Sequence, residues 1–141
     1  MVRWKIKEDK PKHGFSAAVR VEAYGLKFES QLEKYAYDVF TEIGIPFEFQ
    51  KKYLLQEPFK NPSGNTIKRI TLKVDFVTEN NGKIYFIDTK GRFTEVSKIK
   101  YKILSYNHRK QNHEVVILKS KAKVKNYAVY LKSLFNKSKS K

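Results

Sequence analysis

One short stretch, Asn80-Asn81-Gly82, constrains this chain more than any other. Asn-Gly is the preferred pair for a two-residue type I′ hairpin turn, because both turn positions need positive φ. It joins two β-rich runs, Ile67 to Thr78 and Lys83 to Thr89. With Asn81 and Gly82 as the turn, Asn80 faces Lys83, and counting outward pair by pair puts Asp75 opposite Asp88. Directly opposed residues share a face, with Cβ atoms about 4.5–5.5 Å apart. Lys90, two residues beyond Asp88, returns to that face. The turn therefore predicts two carboxylates and an ammonium at one end of a sheet.

Two like charges directly opposed destabilise a sheet unless something compensates. A hard divalent ion such as Mg²⁺ prefers carboxylate oxygens and keeps several of its waters. Between Asp75 and Asp88 it would offset their repulsion, lower the pKa of a bound water and neutralise charge growing on a phosphodiester. Lys90 could then orient the attacking water or hold a phosphate oxygen. The plainer alternative is that Lys90 and Lys73 simply ion-pair with the two aspartates.

The rest of the chain supplies a frame for that hairpin. Val19 to Phe28 suggests a short hairpin turning at Tyr24-Gly25. Leu32, Tyr35, Ala36, Val39, Phe40 and Ile43 follow the spacing of one buried helical stripe. Ser30 and Glu33 have capping-box spacing, and Gly44 fits the position just past the helix end. A strand from Pro46 to Leu55 and a turn-rich loop from Gln56 to Asn65 follow. A second helix over about Glu95 to His108 buries Val96, Ile99, Ile103 and Leu104 in this reading. His113 to Lys119 reads as a strand covered on both faces. A last helix, about Lys121 to Asn136, buries Val124, Tyr127, Ala128, Leu131 and Phe135. The order helix, three strands, helix, strand, helix specifies an α/β fold, a mixed central sheet flanked by helices. The expected organisation is a basic arm at 1–18, a single domain at 19–136 and a disordered basic tail at 137–141.

The 141 residues carry 30 Lys+Arg against 14 Asp+Glu, a formal net charge of +16. Residues 1–28 contribute +4, residues 29–96 nothing, and residues 97–141 contribute +12. A basic field of this strength needs a polyanionic partner, nucleic acid or an anionic membrane, unless part of it only solvates helix faces. With no cysteine, disulfides, thiolate catalysis and zinc-thiolate sites are excluded. No apolar run approaches the roughly 20 residues of a membrane helix, and the start has no secretory core, so a cytoplasmic location is expected. His13, His108 and His113 are dispersed and read as surface or loop residues, and Trp4 as a packing residue of the arm.

Val74-Asp75-Phe76 and Tyr85-Phe86-Ile87-Asp88-Thr89-Lys90-Gly91 resemble the two active-site strands of the PD-(D/E)xK nuclease superfamily, the restriction-endonuclease-like fold. Val74 stands where that family usually has proline, and Asp88 where glutamate is more frequent. Phe28-Glu29-Ser30-Gln31-Leu32-Glu33 resembles the helix start of phage-encoded members, including junction-resolving endonucleases. There an acid stands eleven residues before a Gly-Ile-x-Phe segment, as Glu33 stands before Gly44-Ile45-Pro46-Phe47. Glu29 is the alternative helix acid. Members also sometimes place a polar residue near the site where Gln50 stands.

The resemblance implies a metal-dependent DNA endonuclease. It assigns catalysis to Glu33, Asp75, Asp88 and Lys90, with Mg²⁺ (or Mn²⁺) held by Asp75, Asp88 and Glu33. It also implies branched DNA such as a Holliday junction as substrate, and host cytoplasm as location if the chain is phage-encoded. Symmetric cutting of a junction needs two sites, hence a homodimer. Arg92, Lys98, Lys100, Lys102, Arg109 and Lys110, on and around the second helix, are the expected DNA contacts, setting affinity without reading sequence. Flaps, linear duplexes or RNA as substrates stay open, as does a non-catalytic basic protein that only binds nucleic acid.

Overall fold

The computed structural model describes residues 21–139. A small hairpin of β1 (Val21–Ala23) and β2 (Leu26–Phe28) leads into helix α1 (Gln31–Glu42) and strand β3 (Glu48–Gln56). A two-residue-wide ribbon, β4 (Phe59–Lys60) with β5 (Thr66–Ile67), precedes β6 (Ile70–Asn80) and β7 (Lys83–Thr89). Helix α2 (Glu95–Asn107), strand β8 (His113–Leu118) and helix α3 (Lys121–Lys139) complete the chain. The central sheet has the order β3-β6-β7-β8, antiparallel except for the parallel pair β7–β8, whose crossover is α2. This is a mixed α/β architecture. The segment 56–65, expected as a loop, instead starts the β4–β5 ribbon. Helix α3 takes in the first three residues of the expected tail, while the arm, with Trp4 and His13, lies outside the described residues.

Local chemistry explains the elements. Ser30 caps α1 by accepting the Glu33 N–H at 3.1 Å, and Gly44, at φ +77°, closes the helix with its N–H on Thr41 O. Asn81 and Gly82 sit at φ +52° and +77°, both positive as a type I′ turn demands. The register that turn dictates is observed from Asn80–Lys83 to Phe76–Ile87.

The sheet is covered on both faces. Helices α1 and α3 bury Ala36, Phe40, Val124 and Leu131 against Phe76 and Ile87, with the Phe40 and Phe76 rings 5.1 Å apart and nearly perpendicular. On the other face α2 sets Tyr101 and Leu104 against Leu72, Val74 and Phe86. The expected stripe of α2 needs correction: Val96 and Ile99 are exposed. The larger Tyr101 ring, stacked on Phe93, takes the core position and turns the helix so that Val96 and Ile99 face outward.

One irregularity positions everything that follows. Val74 packs in the α2 cluster and Phe76, two residues on, in the α1–α3 cluster; Tyr53 and Phe49 are split in the same way. A regular strand keeps such residues on one face. Both strands therefore exchange faces at one rung, at Asp75 on β6 and at Gln50 on β3, where Gln50 adopts φ +54°. The ladder pairs on either side are Phe49–Phe76 and Lys51–Val74, and no ladder pair includes Asp75. Below this rung, residues 70–74 pair with β3 alone and form a two-stranded arm.

A Cβ on Gly82 would meet nothing within 4 Å, so its conformation alone resists substitution. Gly82→Ala is expected to cost about 1–2 kcal/mol, the strain of an L-residue in the left-handed region. Urea unfolding should show the midpoint fall with an unchanged slope. An unchanged midpoint contradicts the turn assignment.

Candidate active site

Freed from the ladder, Asp75 turns its carboxylate across to β7. Its Oδ2 accepts both the Thr89 N–H, at 2.9 Å, and the Thr89 hydroxyl, at 2.7 Å. A side chain thus replaces the backbone bond the rung lacks, and it holds Asp75 beside Asp88. Both aspartates are buried, Asp88 to 1% exposure. Lys90 Nζ lies 3.2 Å from Asp88 Oδ2, as the alternation along β7 requires. That buried oxygen makes no hydrogen bond of good geometry, although the Asp75 carboxyl and the Tyr101 hydroxyl both lie close to Asp88. The Tyr101 hydroxyl is a second buried polar group left without a hydrogen bond.

The electrostatics follow from burial. Desolvation first, and then the charge of Asp88, push the Asp75 carboxyl up to about 9, with Glu33 adding to the rise and the Thr89 amide opposing it. Glu33 is also raised, by burial foremost, against its bonds to Gln50 and to the Glu29 amide. The Tyr101 hydroxyl is pushed up by burial and then by the neighbouring Asp88 charge.

Glu33 stands differently from the aspartates. It is buried on the first turn of α1, with Oε2 accepting the Glu29 N–H at 2.6 Å and Oε1 accepting the Gln50 amide at 3.0 Å. The same Gln50 nitrogen reaches Lys27 O at 2.9 Å. Both Glu33 oxygens are therefore engaged, and among the described residues no three His, Asp or Glu side chains converge into a closed metal cage. Glu33 nevertheless lies near enough for its charge to help raise the Asp75 carboxyl. Glu29 points outward to Lys73 at 2.8 Å, so Lys73 pairs with Glu29 and not with an aspartate. The donor set, two carboxylates with an unsatisfied buried oxygen, fits a hard divalent cation that completes its shell with water.

The cations expected at α2 lie at the surface. Arg92, Lys98, Lys102, Arg109 and Lys110 are exposed and Lys100 is half-buried. Lys98 pairs with Glu95 at 3.0 Å, and the Arg109 guanidinium lies 4.2 Å over the Tyr106 ring. His108 and His113, five residues apart, meet with ring centres 6.4 Å apart against Phe86. His113 Nε2 lies 2.7 Å from Ser105 Oγ, which ties α2 to β8.

The described residues thus define a mixed α/β protein with a buried acid pair and one lysine where the pairing of its two central strands ends. Residues 13–136 match the family described as protein of unknown function (DUF1064), and the chain belongs to that family. Searches of curated proteins and of solved structures gave no match. No helix among the described residues is long and apolar enough to cross a membrane.

The raised Asp75 sets a pH dependence. Between the ordinary value near 3.8 and about 9 the unfolded chain has lost a proton that the folded chain keeps. Rising pH across that window therefore lowers the stability of the metal-free protein. Asp75→Asn removes the term and keeps an oxygen for Thr89. The melting temperature of the variant relative to the parent should climb between about pH 5 and pH 8, by several degrees for each kcal/mol. A difference that does not change with pH contradicts the assignment.

Proposed function

We propose that this chain is a divalent-metal-dependent endodeoxyribonuclease of the PD-(D/E)xK, restriction-endonuclease-like kind. It hydrolyses phosphodiester bonds in branched DNA such as a Holliday junction and works as a homodimer. The observation that carries this reading is the meeting of Asp75, Asp88 and Lys90 at a buried point where one Asp88 oxygen makes no hydrogen bond of good geometry. The order of sheet and helices around that point also supports it. Asp75 and Asp88 would hold Mg²⁺, or Mn²⁺ in its place, which supplies Lewis-acid stabilisation of the phosphate and a more acidic water.

The chain's own groups have distinct parts in this reading. Asp75 releases its proton on loading, since a carboxylate must be ionised to act as a ligand. Lys90 exchanges its pairing with Asp88 for a phosphate oxygen or the attacking water. Thr89 keeps Asp75 aimed at Asp88 throughout. Glu33 and Gln50 lock the start of α1 to the rung where the strands exchange faces. The preference for a junction comes from the resemblance of the α1 start to phage-encoded junction-cutting enzymes.

One observation favours a second reading, a non-catalytic nucleic-acid-binding protein: Lys90 on Asp88 and a proton on Asp75 balance the site without a cation. Asp88→Ala separates the two. With Mg²⁺ or Mn²⁺ and a panel of junction, flap, nicked and linear DNA, the parent should cut the junction fastest. The variant should lose roughly 10²–10³-fold in rate, the scale of losing one preorganised electrostatic group. It should keep or gain DNA affinity, because a charge that repels phosphate is gone. Binding without scission by the parent on every substrate contradicts the nuclease reading.

A further inference from the structure

The arm below the Gln50–Asp75 rung carries a charge that the whole-chain count conceals. Residues 51–73 hold six bases (Lys51, Lys52, Lys60, Lys68, Arg69 and Lys73) and one acid, Glu57, a net +5. The rest of the 29–96 stretch holds four bases and nine acids, so its neutrality is a basic arm set in an acidic surround.

One face of this arm is closed and the other open. Tyr53, Leu55, Leu72 and Val74 lie under α2, and Asn107 Nδ2 donates to Leu55 O at 3.2 Å. On the opposite face Lys52 is exposed and Leu54 is 51% exposed. Lys52 stands directly across from Lys73, a like-charge pair that costs stability in a sheet. Lys73 has Glu29, whereas Lys52 has no acid partner among the described residues. The same holds for Lys60, Lys68 and Arg69, all exposed near the tip, where Phe59 is half exposed. The Lys52–Lys73 rung is two strand positions, about 7 Å, from Asp75.

We infer that the open face of the β3–β6 arm, with its β4–β5 tip, is a docking track for the phosphate backbone of duplex DNA next to the acid pair. This rests on the reading of the partner as nucleic acid. Charge complementarity and continuity with the site select that occupant. The cations on α2 lie across the sheet and are partly engaged, Lys98 by Glu95 and Arg109 by Tyr106. Contacts of this kind fix where the strand lies and leave base identity unread.

The test is anisotropy of a labelled duplex over a salt series without divalent ions, so that nothing is cut. The variant carries Lys52→Ser, Lys60→Ser, Lys68→Ser and Arg69→Ser. Its plot of log affinity against log salt should flatten by about 3–4 units, and affinity at moderate salt should fall at least about tenfold. A charge-preserving set, K52R, K60R, K68R and R69K, should keep both. If the quadruple variant is unfolded by circular dichroism, Lys68→Ser with Arg69→Ser should flatten the slope by about 2 units. Parental affinity and slope in the neutralised variant overturn the track, whether or not the parent cuts DNA. So does a parent that binds anionic lipid vesicles but no duplex. Binding through the arm with no cutting once Mg²⁺ is added leaves the track standing and refutes only the nuclease reading.

Discussion

Two carboxylates forced together away from water govern this structure. Asp75 and Asp88 cannot both be charged at low cost in so buried a place, and the protein meets the problem with a raised proton affinity at Asp75 and an ammonium beside Asp88. Nothing in the packing of the sheet requires acids there. Val or Ile at both positions would extend the core already formed by Val74, Phe86 and Ile87. This costly polar pair is the feature on which the proposed chemistry rests.

The exchange of strand faces at the Gln50–Asp75 rung makes the pair possible. A regular ladder would have used the backbone of Asp75 and sent its side chain to one face only. With the rung broken, Thr89 supplies the missing bonds, and Asp75 lies between the α1 side, marked by Glu33, and the α2 side, marked by Tyr101. The positive φ of Gln50 is strain stored next to the site, held by its amide on Glu33 and Lys27. The same break releases residues 70–74 from β7 and so creates the arm.

Much of this was legible in the residues. Asn81-Gly82 fixes the β6–β7 register because its turn geometry admits few alternatives, and the α1 stripe follows from period alone. Lys90 reaches Asp88 because strand alternation is rigid. The role of Gln50 left no signal beyond a polar residue after Phe47-Glu48-Phe49, since a positive φ in a strand depends on tertiary contacts. The helical period of α2 pointed to Val96 and Ile99, whereas the large Tyr101 ring takes the buried position. Glu33 was readable as an inward acid, but its engagement by Gln50, seventeen positions away, was not. Averaging charge over residues 29–96 hid the arm, because the acids around it cancel its bases.

The central claim is that a divalent cation takes the place of a proton at the Asp75–Asp88 pair. Calorimetric titration with Mg²⁺ or Mn²⁺ at neutral pH, repeated in buffers of different ionisation enthalpy, reads that exchange directly. The account predicts saturable binding that releases about one proton per ion, weakens as pH falls and disappears in the Asp88→Ala protein. Binding that releases no proton, or that survives loss of Asp88 undiminished, would contradict it.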